Sequence, residues 1–154
     1  MVRVQISRNG STPFHFKVST KDIDIDDSVD ESHFEGDVEI DGEITDGGNV
    51  FNVKGKIKCR KFFICDRCLK ESSEEQLHEF EEEVEAGNIE DDIVDLTELI
   101  RDTIIASQPI QNLCKPDCKG LCSVCGADLN EGECGCDRFI IDPRLTALKK
   151  FSQQ

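Results

Sequence analysis

The 154-residue chain has no tryptophan, no tyrosine and a single methionine. Any core must therefore be built from its nine phenylalanines and its aliphatic residues. No apolar run approaches the ~20 residues that a membrane-spanning helix needs. The N-terminus also lacks the basic-then-apolar pattern of an export signal. Both absences lead to the expectation of a cytoplasmic protein, in a reducing compartment where paired cysteines bind metal more often than they form disulfides. Cations are scarce as well: 18 Lys and Arg stand against 33 Asp and Glu, a net charge of −15. Whole-molecule repulsion of that size argues against non-specific binding to a phosphate backbone.

The charge is unevenly placed. Residues 21–46 carry twelve acids against Lys21, and residues 71–98 carry thirteen acids with no Lys or Arg. Between them lies one basic stretch, Lys54, Lys56, Lys58, Arg60, Lys61, Arg67 and Lys70, interrupted only by Asp66. These seven are the exception to that argument, the candidate contacts to a phosphate backbone (to RNA, on the family resemblance given below), with Arg3, Arg8 and Lys17 as auxiliaries. The competing reading of Lys54–Lys61 is the wet side of a strand that faces the acidic stretches. The acids around Phe80 read as a solvated face or as a docking surface for a basic partner.

What is abundant is cysteine. Eight of nine fall into close pairs: Cys65/Cys68, Cys114/Cys118, Cys122/Cys125 and Cys134/Cys136. Each pair sets two sulfurs on one turn, half of a tetrahedral zinc site. Gly120-Leu121-Cys122-Ser123-Val124-Cys125-Gly126 has the form of a zinc knuckle, in which the trailing glycine lets backbone amides point at sulfur. Cys134 and Cys136 can close that site, leaving Cys65 and Cys68 to join Cys114 and Cys118. A mixed scheme joining the two Cys-x2-Cys pairs into one ribbon is the alternative. Two closed four-thiolate sites are the structural pattern rather than the catalytic one. The enzyme reading makes Cys65/Cys68 a redox pair, which needs a strand-to-helix turn that the pattern here does not supply. Iron is a second candidate metal, since four thiolates also hold it. Cys59 alternates in phase with Val53 and Ile57 and is expected to be a buried core thiol. His15, His33 and His78 show no ligand spacing. Asp24, Asp26 and Asp27 could hold magnesium, but the acidic segment 22–31 reads as a mobile loop.

Alternation of apolar residues predicts strands at Val2–Ile6 and Phe14–Val18 joined by a turn at Asn9-Gly10, and a hairpin of Val38–Ile44 with Phe51–Ile57 around Gly47-Gly48. Residues 74–85 fit both periods and are assigned to a strand. A helix is expected over 95–107, capped by Asp95 with Glu98 completing a capping box, and with Leu96, Leu99, Ile100, Thr103 and Ile104 on one face. A short helix is expected after Asp142-Pro143. The fold class is α+β: an antiparallel β-meander or barrel-like sheet, one packed helix and a zinc-stapled cysteine-rich C-terminal segment. Residues 1–112 form the β-rich part, and residues 113–154 form the zinc-binding part, too polar to hold itself together without metal.

Several of these pieces together resemble the YceD family of bacterial and plastid proteins: Cys65-Asp66-Arg67-Cys68-Leu69, the run from Cys114 to Gly126, Asp128-Leu129-Asn130, Cys134-Gly135-Cys136 and Asp142-Pro143-Arg144-Leu145. That family is linked to accumulation of large-subunit ribosomal RNA. The resemblance implies a non-catalytic role in large-subunit assembly, with ribosomal RNA or a basic ribosomal protein as partner and no membrane or small-molecule substrate. Some members keep positions like Cys65, Cys68 and Cys118 without the Cys122/Cys125/Cys134/Cys136 set, which implies two separable zinc sites. A zinc-stabilised adaptor unrelated to ribosomes is the alternative from another class.

Overall fold

The computed structural model describes residues 1–8, 10–25, 32–89 and 91–138. Its elements run β1 (Arg3–Gln5), β2 (Ser11–Ser19), a 3-10 turn (Thr20–Ile23), β3 (Ser32–Phe34), β4 (Asp37–Asp46), β5 (Val50–Ile64), β6 (Glu71–Glu85), a second 3-10 turn (Ala86–Asn88), β7 (Ile93–Asp95) and α1 (Thr97–Ala106).

The main sheet is antiparallel and curls into a half-barrel. Its spine is the fifteen-residue β5, paired along its whole length with β6. The opposite edge of β5 is shared by β4, against residues 51–58, and β3, against residues 61–63. β2 pairs with the far edge of β4. Alternate residues face the concave side, as period-2 geometry requires. Val38, Ile40 and Ile44 of β4 and Phe51, Val53, Ile57 and Cys59 of β5 are buried there. A fully buried isoleucine contributes about 1.5–3 kcal/mol, so Ile40, Ile44 and Ile57 are among the main stabilising residues.

One row across the sheet departs from this pattern. Phe14 faces Gly42, Gly42 faces Gly55, and Gly55 faces Phe80. A Cβ on Gly42 would lie 2.6 Å from the Phe14 ring, and one on Gly55 would lie 2.6 Å from the Phe80 ring. The outer rings therefore lie over bare backbone at the centre of the sheet. Such a row of small centres under large flanks favours curvature.

Helix α1 covers the core with Ile100 and Ile104, against the first 3-10 turn and β6. It starts later than the sequence predicts. Asp95 belongs to β7, and its Oδ1 accepts a hydrogen bond from the Thr97 amide at 3.0 Å. Leu96 occupies the cap position, with no capping box. The reason is that Asp95 is held in the two-stranded sheet β1–β7, where Arg3 is its register partner.

That small sheet corrects a second expectation. β1 does not turn back on β2; it pairs with β7, about ninety residues away, and Leu96 N–H donates to Val2 O at 2.8 Å. The acidic segment is a third correction over residues 22–25. Ser19 and Asp22 form a reciprocal cap, and Ile23 and Ile25 are buried, so apolar anchors fix this part of the chain. Asp26, Asp27 and the rest of the proposed loop to Glu31 lie outside the described residues, as does the helix expected after Asp142. The 74–85 strand is present as β6, and the hairpin β4–β5 lies where predicted. No helix among the described residues is long and apolar enough to cross a membrane.

His78 of β6 packs against the end of α1. Its Nδ1 is 2.8 Å from Ser107 Oγ, and its Nε2 is 3.1 Å from Gln76 Oε1, so both ring nitrogens have polar partners. Burial lowers its pKa, only partly opposed by Glu74. A base with a depressed folded pKa takes up its proton first in the unfolded chain, so stability is lost as pH falls through the free-histidine value near 6.5. Thermal unfolding of wild type and His78→Gln is expected to differ more in its pH dependence than in its value at pH 7.5. A wild-type melting temperature that falls no more steeply between pH 7 and 5.5 than the variant's would refute this.

Candidate metal centres

The first cysteine pair sits where β5 ends. Cys65-Asp66-Arg67-Cys68 turns the chain back into β6, and Leu69 N–H donates to Cys65 O at 2.8 Å. The second Cys-x2-Cys turn repeats this geometry, with Gly126 N–H donating to Cys122 O at 2.8 Å. In both turns the residue after the second cysteine adopts positive φ: 57° at Leu69 and 76° at Gly126. Glycine accepts that conformation freely, whereas Leu69 bears a strain of about 1–2 kcal/mol. The first turn holds its shape regardless, because Cys65, Cys68 and Cys118 are buried together with Leu113 and Leu121 against them.

The eight paired sulfurs gather into two groups. Cys65, Cys68, Cys114 and Cys118 form one, and Cys122, Cys125, Cys134 and Cys136 form the other, all sulfurs of a group lying within 4.8 Å of one another. The mixed ribbon scheme is thereby set aside. None of the nine cysteines is in a disulfide. In the first group Cys65 and Cys118 sulfurs are 3.9 Å apart, and Cys68 and Cys114 sulfurs 3.6 Å. A tetrahedron with metal–sulfur bonds of about 2.3 Å has sulfurs about 3.8 Å apart. The donor set fits a metal ion by number, type and spacing.

The electrostatics agree. Burial pushes the Cys65 thiol up, but the backbone amides of Cys114, Cys68 and Arg67 outweigh it and bring it down to about 6. For Cys122 the amides of Cys125 and Val124 dominate, again to about 6. Cys114 is pushed up to about 12 by burial and by its three sulfur neighbours. Cys136 rises to about 12 as well, through Cys125 and Cys134. Each group thus has one ready thiolate and a rising cost for the next, the imbalance that a bound cation removes with release of protons.

The supporting contacts were not legible from spacing. Asn130 donates through Nδ2 to Cys118 Sγ at 3.5 Å and to Asp128 Oδ1 at 2.8 Å, and its Oδ1 accepts from Lys119 N–H at 2.9 Å. Asp128 Oδ2 meets the Lys70 ammonium at 2.7 Å. Lys70, then Asn130, hold the Asp128 carboxyl down to about 2. The chain Lys70–Asp128–Asn130–Cys118 therefore ties the loop of the second cysteine group to a sulfur of the first. Asn112 ties the end of the helical segment to the same place: its N–H donates to Asp66 Oδ2 at 2.7 Å, and its Oδ1 accepts from Lys61 Nζ at 2.7 Å.

Of the seven candidate RNA contacts, Lys54, Lys56, Lys58 and Arg60 line one face of β5, each beside an acid, and Lys61, Arg67 and Lys70 lie apart from that row. Lys54 pairs with Glu81 at 2.7 Å, Lys56 with Glu79 at 2.9 Å, and Lys58 and Arg60 with Glu75 at 3.2 and 3.9 Å. On the other side, Glu43, Asp41 and Glu39 of β4 are the register partners of Lys54, Lys56 and Lys58. Lys61 is only 1% exposed, and burial lowers its pKa. Arg67 donates to Cys118 O at 2.9 Å, and Lys70 is held by Asp128 and Glu131. Lys17 pairs with Asp37 and Glu39, Arg3 with Asp95 and Arg8 with Asp92. Cys59 is a buried thiol in the main core, pushed up to about 11 by burial.

Fold and site together define a class: an antiparallel sheet protein with two four-cysteine centres, one joining the β5–β6 turn to the C-terminal segment and one within that segment. Within that class the chain belongs to the YceD family; the family described as large ribosomal RNA subunit accumulation protein YceD matches residues 70–152. A protein of Mycobacterium tuberculosis, itself uncharacterized, is similar at 40% identity over 67 residues, 44% of this chain and 32% of the relative. The chloroplastic large ribosomal RNA subunit accumulation protein YCED homolog 1 of Arabidopsis thaliana is similar at 37% identity over 61 residues, 40% of this chain and 19% of the plant protein. The match thus spans about a third of the mycobacterial relative and a fifth of the plant one. No solved structure matches the chain.

Proposed function

We propose that this protein is a non-catalytic, cytoplasmic factor in large ribosomal subunit assembly, which holds a basic ribosomal protein on its acidic sheet and is stapled by two structural zinc ions. Family membership supports the ribosomal role. The observation that carries the choice of partner is the charge arrangement on the convex face. The four cations of β5 that point outward already have carboxylate partners on β6. Glu83 and Glu85, on the same face of β6, make no ion pair with any Lys or Arg among the described residues. A polyphosphate would have to displace the internal pairs, whereas a polycation meets unspent carboxylates.

Four protein thiolates leave no open position at either centre, which supports structure rather than catalysis. Zinc is favoured over iron because such sites need no redox change. A redox role for Cys65/Cys68 has little support, since the chain continues from Cys68 into strand β6 rather than a helix. Direct RNA contact through Lys54, Lys56, Lys58, Arg60, Lys61, Arg67 and Lys70 is the other form of the ribosomal reading. The deciding experiment is affinity capture of the tagged protein from its own cells, with and without RNase. Recovery of a basic large-subunit protein that resists RNase is the expected result. Ribosomal RNA that dissociates in moderate salt would move the contact to the basic residues. Recovery of neither would overturn the assembly role.

A further inference from the structure

The convex face of β5 carries a cation at every second residue from Lys54 to Arg60, and then the pattern breaks. The next two outward positions are Phe62 and Ile64, apolar side chains on the charged side of the sheet. Phe62 faces His33 of β3 on one side and Ser73 of β6 on the other. The His33 and Phe62 rings are stacked, with centroids 5.5 Å apart and planes within 13°. Above them opens a cleft of about 720 Å³, walled by His33, Phe62, Ile64 and Ser73 and rimmed by Glu35 and Glu71. Glu35 reaches only His33, at 3.3 Å, and Glu71 forms no ion pair among the described residues.

We infer that this cleft is a docking site for an arginine side chain of the basic partner, an inference that rests on the protein-partner reading above. The aromatic platform attracts a cation, and a guanidinium is flat and weakly hydrated enough to lie on it. Its N–H fork can then reach the carboxylates at the rim in charge-assisted hydrogen bonds. A lysine ammonium, strongly hydrated and pointlike, cannot do both at once. A nucleobase would stack equally well, but Glu35 and Glu71 oppose the phosphates on either side of it. The partner's arginine supplies the cation that the β5 ladder lacks at position 62.

The test uses two labelled peptides of equal length and charge, nine arginines and nine lysines, titrated by fluorescence anisotropy at one ionic strength. The wild-type protein is expected to prefer the arginine peptide by roughly fivefold or more, the size of one stacked guanidinium. Phe62→Leu keeps an apolar side chain without the ring and should abolish the preference. Glu71→Gln should weaken the arginine peptide more than Glu83→Gln, which changes an acid of the same strand away from the cleft. The His33 ring signals in NMR should shift on addition of the arginine peptide. Equal affinity for the two peptides, a preference that survives Phe62→Leu, or His33 shifts produced by a single-stranded RNA oligomer and not by the arginine peptide would each overturn the inference. If capture from cells still returns a basic ribosomal protein in that case, the function proposed above stands without this site. An arginine preference with no ribosomal component captured would leave the site and remove the function.

Discussion

On the zinc-stapled reading proposed above, a strong chelator, or replacement of Cys118 with Ser, is expected to unfold residues 112–138 while the sheet and helix stay folded. The two hydrophobic clusters are separate: nineteen buried residues form the main core, whereas the second cluster is Cys65, Cys68 and Cys118 with Leu113 and Leu121 beside them. Beyond α1 the described chain has no helix or strand, only the bridge between Leu121 and Asp128. Ordering each residue costs about 1–2 kcal/mol of backbone entropy, and one buried leucine, Leu129, cannot offset that over such a length. A structural zinc ion contributes an apparent 10–16 kcal/mol or so in small peptides, enough to change the balance. Cys118 is the most consequential of the eight paired cysteines, because its carbonyl accepts from Arg67 and its sulfur from Asn130. Cys125→Ser, in the more exposed centre, should instead lose one metal and keep the other. Metal content by atomic emission and amide NMR spectra of the three proteins provide the measurement. Unchanged amide signals from residues 112–138 after the metal is removed would sink the claim.

The second large effect is at the glycine row. Gly42→Ala places a Cβ against the Lys54 carbonyl oxygen of the neighbouring strand and 2.6 Å from the Phe14 ring. The backbone oxygen cannot yield without disturbing the β4–β5 ladder, and the ring is buried at its other face. Overpacking of this kind costs about 3 kcal/mol or more when backbone must move. In a chain of this size that lowers the melting temperature by roughly 6–12 °C. Gly87→Ala is the control, since nothing lies within 4 Å of its added carbon. Equal denaturation midpoints for the two variants would show that the row tolerates a methyl group and that the curvature has another source.

What could be read from the sequence was what depends on near neighbours. Strand alternation in β2, β4 and β5, the apolar face of α1 and the turn-sized spacing of the cysteine pairs are fixed by a few consecutive residues. The grouping of those pairs into two centres followed from the same spacing, with one alternative that geometry then set aside. One available signal was missed: Lys61 is in phase with Cys59 and Phe63, both buried, and so was marked for the inside of the sheet rather than its charged face. Its partner Asn112 lies fifty-one residues away.

Tertiary structure decided the rest. β1 had a turn sequence beside it and still paired with β7, because burying Val2, Val4 and Ile6 in the main core outweighs the local hairpin. Phe62 and Ser73 became a cleft only because β3 inserts beside β4 on one edge of β5 and brings His33 across. For the basic stretch the sequence left two readings open, an RNA contact or the wet side of a strand facing acids, and the register shows which acids flank it: those of β4 on one side and β6 on the other. Sequence by itself determined which residues can lie on a common face or turn, since backbone periodicity is local. Which faces meet depends on contacts between segments far apart in the chain, and only the assembled sheets and the two cysteine centres supply those.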